Sequence, residues 1–240
     1  MAYAAVNGLK MYYEVHGDGP PLLLLHGGTS SIEDFTLAIP FFATQFRVIA
    51  IEQMGHGRTG DRMDRPFHYH DMAEDTVELM RQQGIESAAI VGYSDGGIIG
   101  LDIAIHHPER VTRLAVTGAN SRTDGYSAEL VRTLISDDLP VSEAYGRLSP
   151  DGVDHWPIVI GRVKRLWIEE PNFTREEMLS IEAPTLIIVG DSDLVTPEHA
   201  VEMFRTIPVA QLCVVPKAGH GVLPKEMILT FLQEATAADK

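Results

Sequence analysis

Apolar residues in this 240-residue chain fall into short unbroken runs, separated by stretches rich in glycine, proline, aspartate and serine. Pro21-Leu-Leu-Leu-Leu25, Arg47-Val-Ile-Ala-Ile51 and the run ending at Val91 lack polar alternation, and further strands are expected at Val111 to Val116 and Pro184-Thr-Leu-Ile-Ile-Val189. Runs of this length without alternation predict strands buried on both faces of a parallel sheet. A further strand is expected at Gln211 to Val215. Helical patterns fall between these runs: Met72 to Gln83, stopping at Gly84, Gly96 to His106, Glu198 to Thr206, and a last helix from about Pro224. Ser31 with Asp34 three residues later resembles a capping box, predicting one helix to about Thr44 with Pro40 as an irregularity inside it. At the start, Tyr3 to Val6 and Lys10 to Val15 flank Asn7-Gly8, which reads as a hairpin.

This rhythm predicts an α/β fold with a mostly parallel, doubly wound sheet. It lapses from Ser121 to Leu179, where helical patterns are broken by Pro140, Pro150, Pro157 and Pro171. The expected organisation is therefore a core in two parts, 1–120 and 180–240, with a helical insertion at 121–179. A chain of this length suits one domain carrying an insertion.

Charge narrows the partners. A net charge of −15 argues against nucleic acid and anionic membrane surfaces, which require a basic footprint. No apolar run approaches the roughly 18 residues that would span a bilayer. No secretory leader is read in the first ten residues, so a cytoplasmic location is expected. The single cysteine, Cys213, excludes a disulfide within the chain and reads as a buried core thiol.

The most chemically pointed segment is Gly92-Tyr-Ser94-Asp-Gly96, which lies between a predicted strand and a predicted helix. Glycines two residues either side of Ser94 allow a turn tight enough to push a strained nucleophile outward, where a Cβ would collide. A serine hydroxyl is a weak nucleophile at its own pKa and requires a base and an orienting acid. Catalytic groups in such sheets gather beyond the carboxyl ends of strands. Among ten histidines, His220 in Gly219-His-Gly221 best fits that position as the base. Asp191 and Asp193 both leave the sheet after Val189; Asp193 is the chosen acid, with Asp191 in reserve as a turn residue.

The elbow, the His26-Gly27-Gly28 that follows an early strand, and the order Ser94, Asp193, His220 resemble the α/β-hydrolase superfamily along the whole chain. The resemblance implies that the acid is Asp193, that residues 121–179 form a lid, and that the backbone N–H groups of Gly28 and Asp95 hold an oxyanion. It implies no cofactor. Glu52 stands where the family often has an aspartate and is assigned a structural role.

Other clusters read more plainly. The Asp95 side chain is expected to interact favourably with the helix N-terminus, and His26 to be a structural hydrogen-bonding residue. His106-His107 closes a helix and points to two faces, and His68-x-His70 lacks a known zinc pattern, so no metal is expected. Trp156, Ile160, Val163 and Trp167 fall near helical spacing as an apolar underside; Trp156 and Trp167 are candidate substrate contacts. The insertion has seven Arg or Lys against eleven Asp or Glu, which marks no polyanionic substrate. The expected function is serine carboxylesterase chemistry on a small to medium, mostly neutral acyl compound. Lactone, amide, carbon-carbon (dione) and cofactor-free perhydrolase chemistries are the alternatives, with a ligand receptor on the same fold as a further one. Oligomeric state is unread.

Overall fold

Residues 2–127, 131–132 and 142–234 are described by the computed structural model. The strands are β1 (Ala2–Val6), β2 (Leu9–His16), β3 (Pro21–Leu25), β4 (Arg47–Ile51), β5 (Ala88–Tyr93), β6 (Val111–Thr117), β7 (Thr185–Ser192) and β8 (Ala210–Gly219). They form one eight-stranded sheet in the order β1-β2-β4-β3-β5-β6-β7-β8. β2 runs antiparallel to β1 and β4, and every other pair is parallel. The expected hairpin is present: Val6 pairs with Leu9, and Asn7 and Gly8 both take positive φ, as a two-residue primed turn demands.

The unalternating runs have a direct packing cause. Leu23 and Leu25 of β3, Ile49 and Ile51 of β4 and Ile90 of β5 enter one apolar core. Their neighbours Leu22, Leu24, Val48, Ala50, Ala89 and Val91 enter the other. Each fully buried leucine contributes about 1.5–3 kcal/mol, so a polar residue on either parity would be costly. Helices α2 (Tyr69–Gln82) and α3 (Asp95–His106) cover the first face; α1 (Ile39–Phe42) and α8 (Lys225–Gln233) cover the second.

The single helix expected from Ser31 to Thr44 is instead a 3-10 turn, Ile32–Phe35, followed by the separate helix α1. Pro40 lies in the first turn of α1, where its missing N–H costs nothing; inside a continuous helix it would break the ladder. Ser31 caps the turn by accepting from Glu33 N at 3.2 Å.

Between β6 and β7 lie α4 (Glu143–Leu148), α5 (Trp156–Glu169) and α6 (Arg175–Leu179), followed after β7 by α7 (Pro197–Thr206). Of the expected insertion, 128–130 and 133–141, including Pro140, lie outside the described residues, as do 235–240 of the expected last helix. Pro157 occupies the first turn of α5, and Thr174 and Glu177 form a reciprocal capping box on α6. Among the described residues, no helix is long and apolar enough to cross a membrane.

Candidate active site

Ser94 joins β5 to α3 with φ +50° and ψ −119°, a left-handed conformation uncommon for a residue with a side chain. Its glycine neighbours make this possible in two different ways. A Cβ on Gly92 would sit 2.3 Å from the Gly96 carbonyl oxygen, a collision across the turn. One on Gly96 would sit 2.0 Å from the Leu25 carbonyl oxygen, so that glycine lets α3 press against the neighbouring strand β3.

The turn brings Ser94 Oγ within 3.0 Å of His220 Nε2, and His220 Nδ1 lies 2.7 Å from Asp193 Oδ1. Asp193 is buried, which by itself would raise its pKa. Hydrogen bonding and charge attraction from His220, with the amides of Val195 and Gly190, more than offset this and hold it below the ordinary carboxylate value. An ionised carboxylate only accepts, so Nδ1 carries the proton and Nε2 is left free to accept from the Ser94 hydroxyl. Asp191, the reserve candidate, is exposed and accepts from Lys217 N at 2.9 Å and Ala218 N at 3.2 Å, anchoring the approach to His220.

Two residues missed by sequence reasoning complete this frame. The Thr117 carbonyl accepts from Ser94 N at 2.8 Å, and its hydroxyl donates to the Val222 carbonyl at 2.5 Å, joining the serine turn to the histidine loop. Gly118, at φ +60°, has no Cβ to strike His220 Cε1, which would lie 2.9 Å away. A glycine following a predicted strand was the available signal.

A cavity of about 210 Å³ opens onto Ser94 and His220. Gly28 and Asp95 line it, as does Trp167; Tyr93, Tyr126 and Leu194 give it apolar walls. Trp156 does not line it. That side chain is buried against Tyr145, with ring centroids 5.1 Å apart. The two tryptophans share a face of α5 but are eleven residues apart, about 16 Å along the axis, so only one reaches the cavity.

The Asp95 side chain also has a distant partner that its sequence neighbourhood does not show. Its carboxylate is buried and accepts from Trp167 Nε1 at 2.8 and 3.1 Å, linking the elbow to α5. The buried Tyr69 hydroxyl lies near the same carboxylate and, among the described residues, meets no partner in hydrogen-bond geometry. Burial pushes the Asp95 pKa up to about 6, with Trp167, Tyr69 and His220 opposing the rise.

The remaining candidates are structural or lie elsewhere. His26 is buried, accepts from Gln53 N at 3.1 Å, and has its pKa lowered to about 4 by burial, which keeps the ring neutral. Glu52 is fully buried and pairs with Arg58 at 2.6 Å. Cys213, expected in the core, is half-buried on the edge strand β8. His68 pairs with Glu170 at 2.5 Å, whereas His70 meets His106 and Asp102 away from the cavity.

A family model for the alpha/beta hydrolase fold matches residues 20–144. The chain is 28% identical to a putative carbamate hydrolase RutD of Azorhizobium caulinodans, over 98% of this chain and 99% of that one. It is 26% identical to a 2-hydroxymuconate semialdehyde hydrolase of a Pseudomonas species, over 96% and 93%. In fold it resembles the enol-lactonase of Burkholderia xenovorans, with TM-score 0.77, 23% identity and coverage of 97% and 100%. With more than half its length matched by the family model, and an eight-stranded, mostly parallel sheet carrying Ser94 at a strand-to-helix turn, the chain belongs to the alpha/beta hydrolase fold family.

Proposed function

We propose that this protein is a serine hydrolase that cleaves a small to medium, mostly neutral carboxylic ester through an acyl-enzyme. The observation that carries the reading is the hydrogen-bonded chain from Ser94 through His220 to Asp193 at the wall of the cavity. In this reading His220 Nε2 takes the Ser94 proton as Oγ attacks the acyl carbon. Asp193 stabilises the imidazolium that forms, which then protonates the leaving alkoxide. Water, deprotonated by the same nitrogen, releases the acid. The amides of Gly28 and Asp95 hold the tetrahedral oxyanion.

The cavity supports this substrate class. About 210 Å³ accommodates a compact acyl group, and its aromatic walls favour an apolar one. The ionised form of Asp95 would repel an anionic acyl group held near Ser94. The relatives are named for different substrates, a carbamate, a 2-hydroxymuconate semialdehyde and an enol-lactone. Repulsion by Asp95 favours the neutral class.

The test pairs fluorophosphonate labelling with kcat/KM across short-chain p-nitrophenyl esters, lactones, carbamates and diones. Wild type is expected to label and to turn over neutral esters fastest, with both lost in Ser94→Ala. Labelling that persists in Ser94→Ala, or a preference of orders of magnitude for an anionic dione, would refute the assignment.

A further inference from the structure

Away from the cavity, the first turn of α2 meets the last turn of α3 and brings together residues that spacing kept apart. His70 Nδ1 lies 2.9 Å from Asp102 Oδ1, and His106 Nδ1 lies 3.2 Å from the same oxygen. The ligand-capable atoms of all three residues lie within 4.8 Å of one another. We propose that His70, Asp102 and His106 form a binding site for a zinc-class divalent ion that straps α2 to α3.

Three arguments support it. A tetrahedral ion with bonds of about 2.0–2.2 Å separates its ligands by roughly 3.3–3.6 Å, so the observed set needs only small side-chain adjustments. Asp102 is 3% exposed, and among the described residues no lysine or arginine pairs with it. The buried carboxylate meets two imidazoles and no permanent cation, and a divalent ion would compensate its charge fully. The imidazoles are partly exposed, with side-chain accessibilities of 52% for His70 and 38% for His106, so an ion can enter from solvent.

The surroundings suit the same reading. Asp102 and His106 are one turn apart on α3, and His70 and Glu74 are one turn apart on α2, so each helix presents its pair on one face. Glu74 Oε1 lies 4.0 Å from His70 Nε2 and is fixed by His107 Nε2 at 2.6 Å. That leaves a carboxylate facing the nitrogen of His70 that would not bind the ion, the partner that orients a ligating imidazole. Two imidazoles and one carboxylate select zinc or its neighbours over magnesium and leave a fourth position for water. Binding releases to solvent any proton on the ligating nitrogens, and the His106 Nδ1 contact with the Asp102 carbonyl at 3.0 Å gives way.

The full chain, stripped with chelator, would be titrated with zinc(II) by calorimetry and thermal unfolding, and with cobalt(II) by visible absorption. One ion per chain, a Tm that rises with zinc, and four-coordinate cobalt bands are expected. His70→Gln, a surface change with folding checked by circular dichroism, should weaken zinc at least about tenfold and erase the Tm rise. His106→Gln should do the same, while the remote His16→Gln should leave both unchanged. No zinc-dependent Tm rise in wild type, or an equal rise in His70→Gln, would overturn the site and leave a hydrogen-bonded His–Asp–His strap.

Discussion

The carboxyl edge of the sheet and the helical segment between β6 and β7 contribute to one cavity by different physical routes. At the sheet edge, backbone places the chemistry: Ser94 follows β5 in a glycine-permitted turn, and Asp193 and His220 directly follow β7 and β8. In the helical segment side-chain reach does so: Tyr126 supplies a wall, and Trp167 reaches from α5 to the Asp95 carboxylate. Positions set by backbone tolerate little change, whereas positions set by reach can be retuned by one substitution. The edge should therefore govern whether reaction occurs, and α5 which substrate reacts.

Substitutions can break that contrast. The largest effect is expected at the edge: Ser94→Ala or Asp193→Asn should each lower kcat by about 10⁴-fold or more, with folding intact. Stopped-flow or endpoint assays at saturating ester would check this, and a loss expressed in KM alone would contradict the assigned roles.

Asp95 is where the two regions meet. Its pKa is raised from 3.8 to about 6 in the folded chain, so the folded state holds that proton more tightly than the unfolded state does. The contribution of this group to stability is therefore fully present below about pH 4 and is lost as pH rises through 6. Asp95→Asn should stabilise the protein at pH 8 by about 2–3 kcal/mol, with the gain vanishing near pH 4. Denaturant midpoints at the two pH values decide it. Asp193 has the opposite slope: its pKa is lowered, so its contribution is complete at neutral pH and is lost on acidification. The same Asp95→Asn change should improve kcat/KM for anionic acyl esters about tenfold relative to neutral ones.

Smaller effects separate the two tryptophans. Trp167→Phe removes the donor to Asp95 and should cost about 1–3 kcal/mol while shifting KM several-fold. Trp156→Phe should leave KM unchanged, because Trp156 does not line the cavity and, among the described residues, its buried Nε1 has no partner to lose. Equal KM shifts in both variants would erase the distinction between reach and backbone placement.

How much was legible in the sequence follows the same division. Unalternating runs identified the buried strands, Asn7-Gly8 the hairpin and Gly92 with Gly96 the elbow, because each reports a local backbone or burial constraint. The pairing of Asp193 with His220 could be inferred from strand ends. What escaped depended on tertiary reach: the Asp95 bond to Trp167, 72 residues apart, and the meeting of His70 with Asp102, 32 residues apart. Trp156 was placed on the right face of α5 but at the wrong depth, since periodicity gives an angle and no distance along the axis. Pro40 was seen as an irregularity, but spacing alone could not show that it begins a second helix.

Thr117 holds the serine turn with its carbonyl and the histidine loop with its hydroxyl, so the two halves of the proposed reacting pair share one anchor. Neither loop can swing outward without breaking a bond to the middle of the sheet. Amide hydrogen exchange at Ser94 should then follow the slow opening of the central strands rather than surface-loop breathing. On the α5 side the wall is made of side chains, Trp167 among them, which can change rotamer while the sheet stays intact.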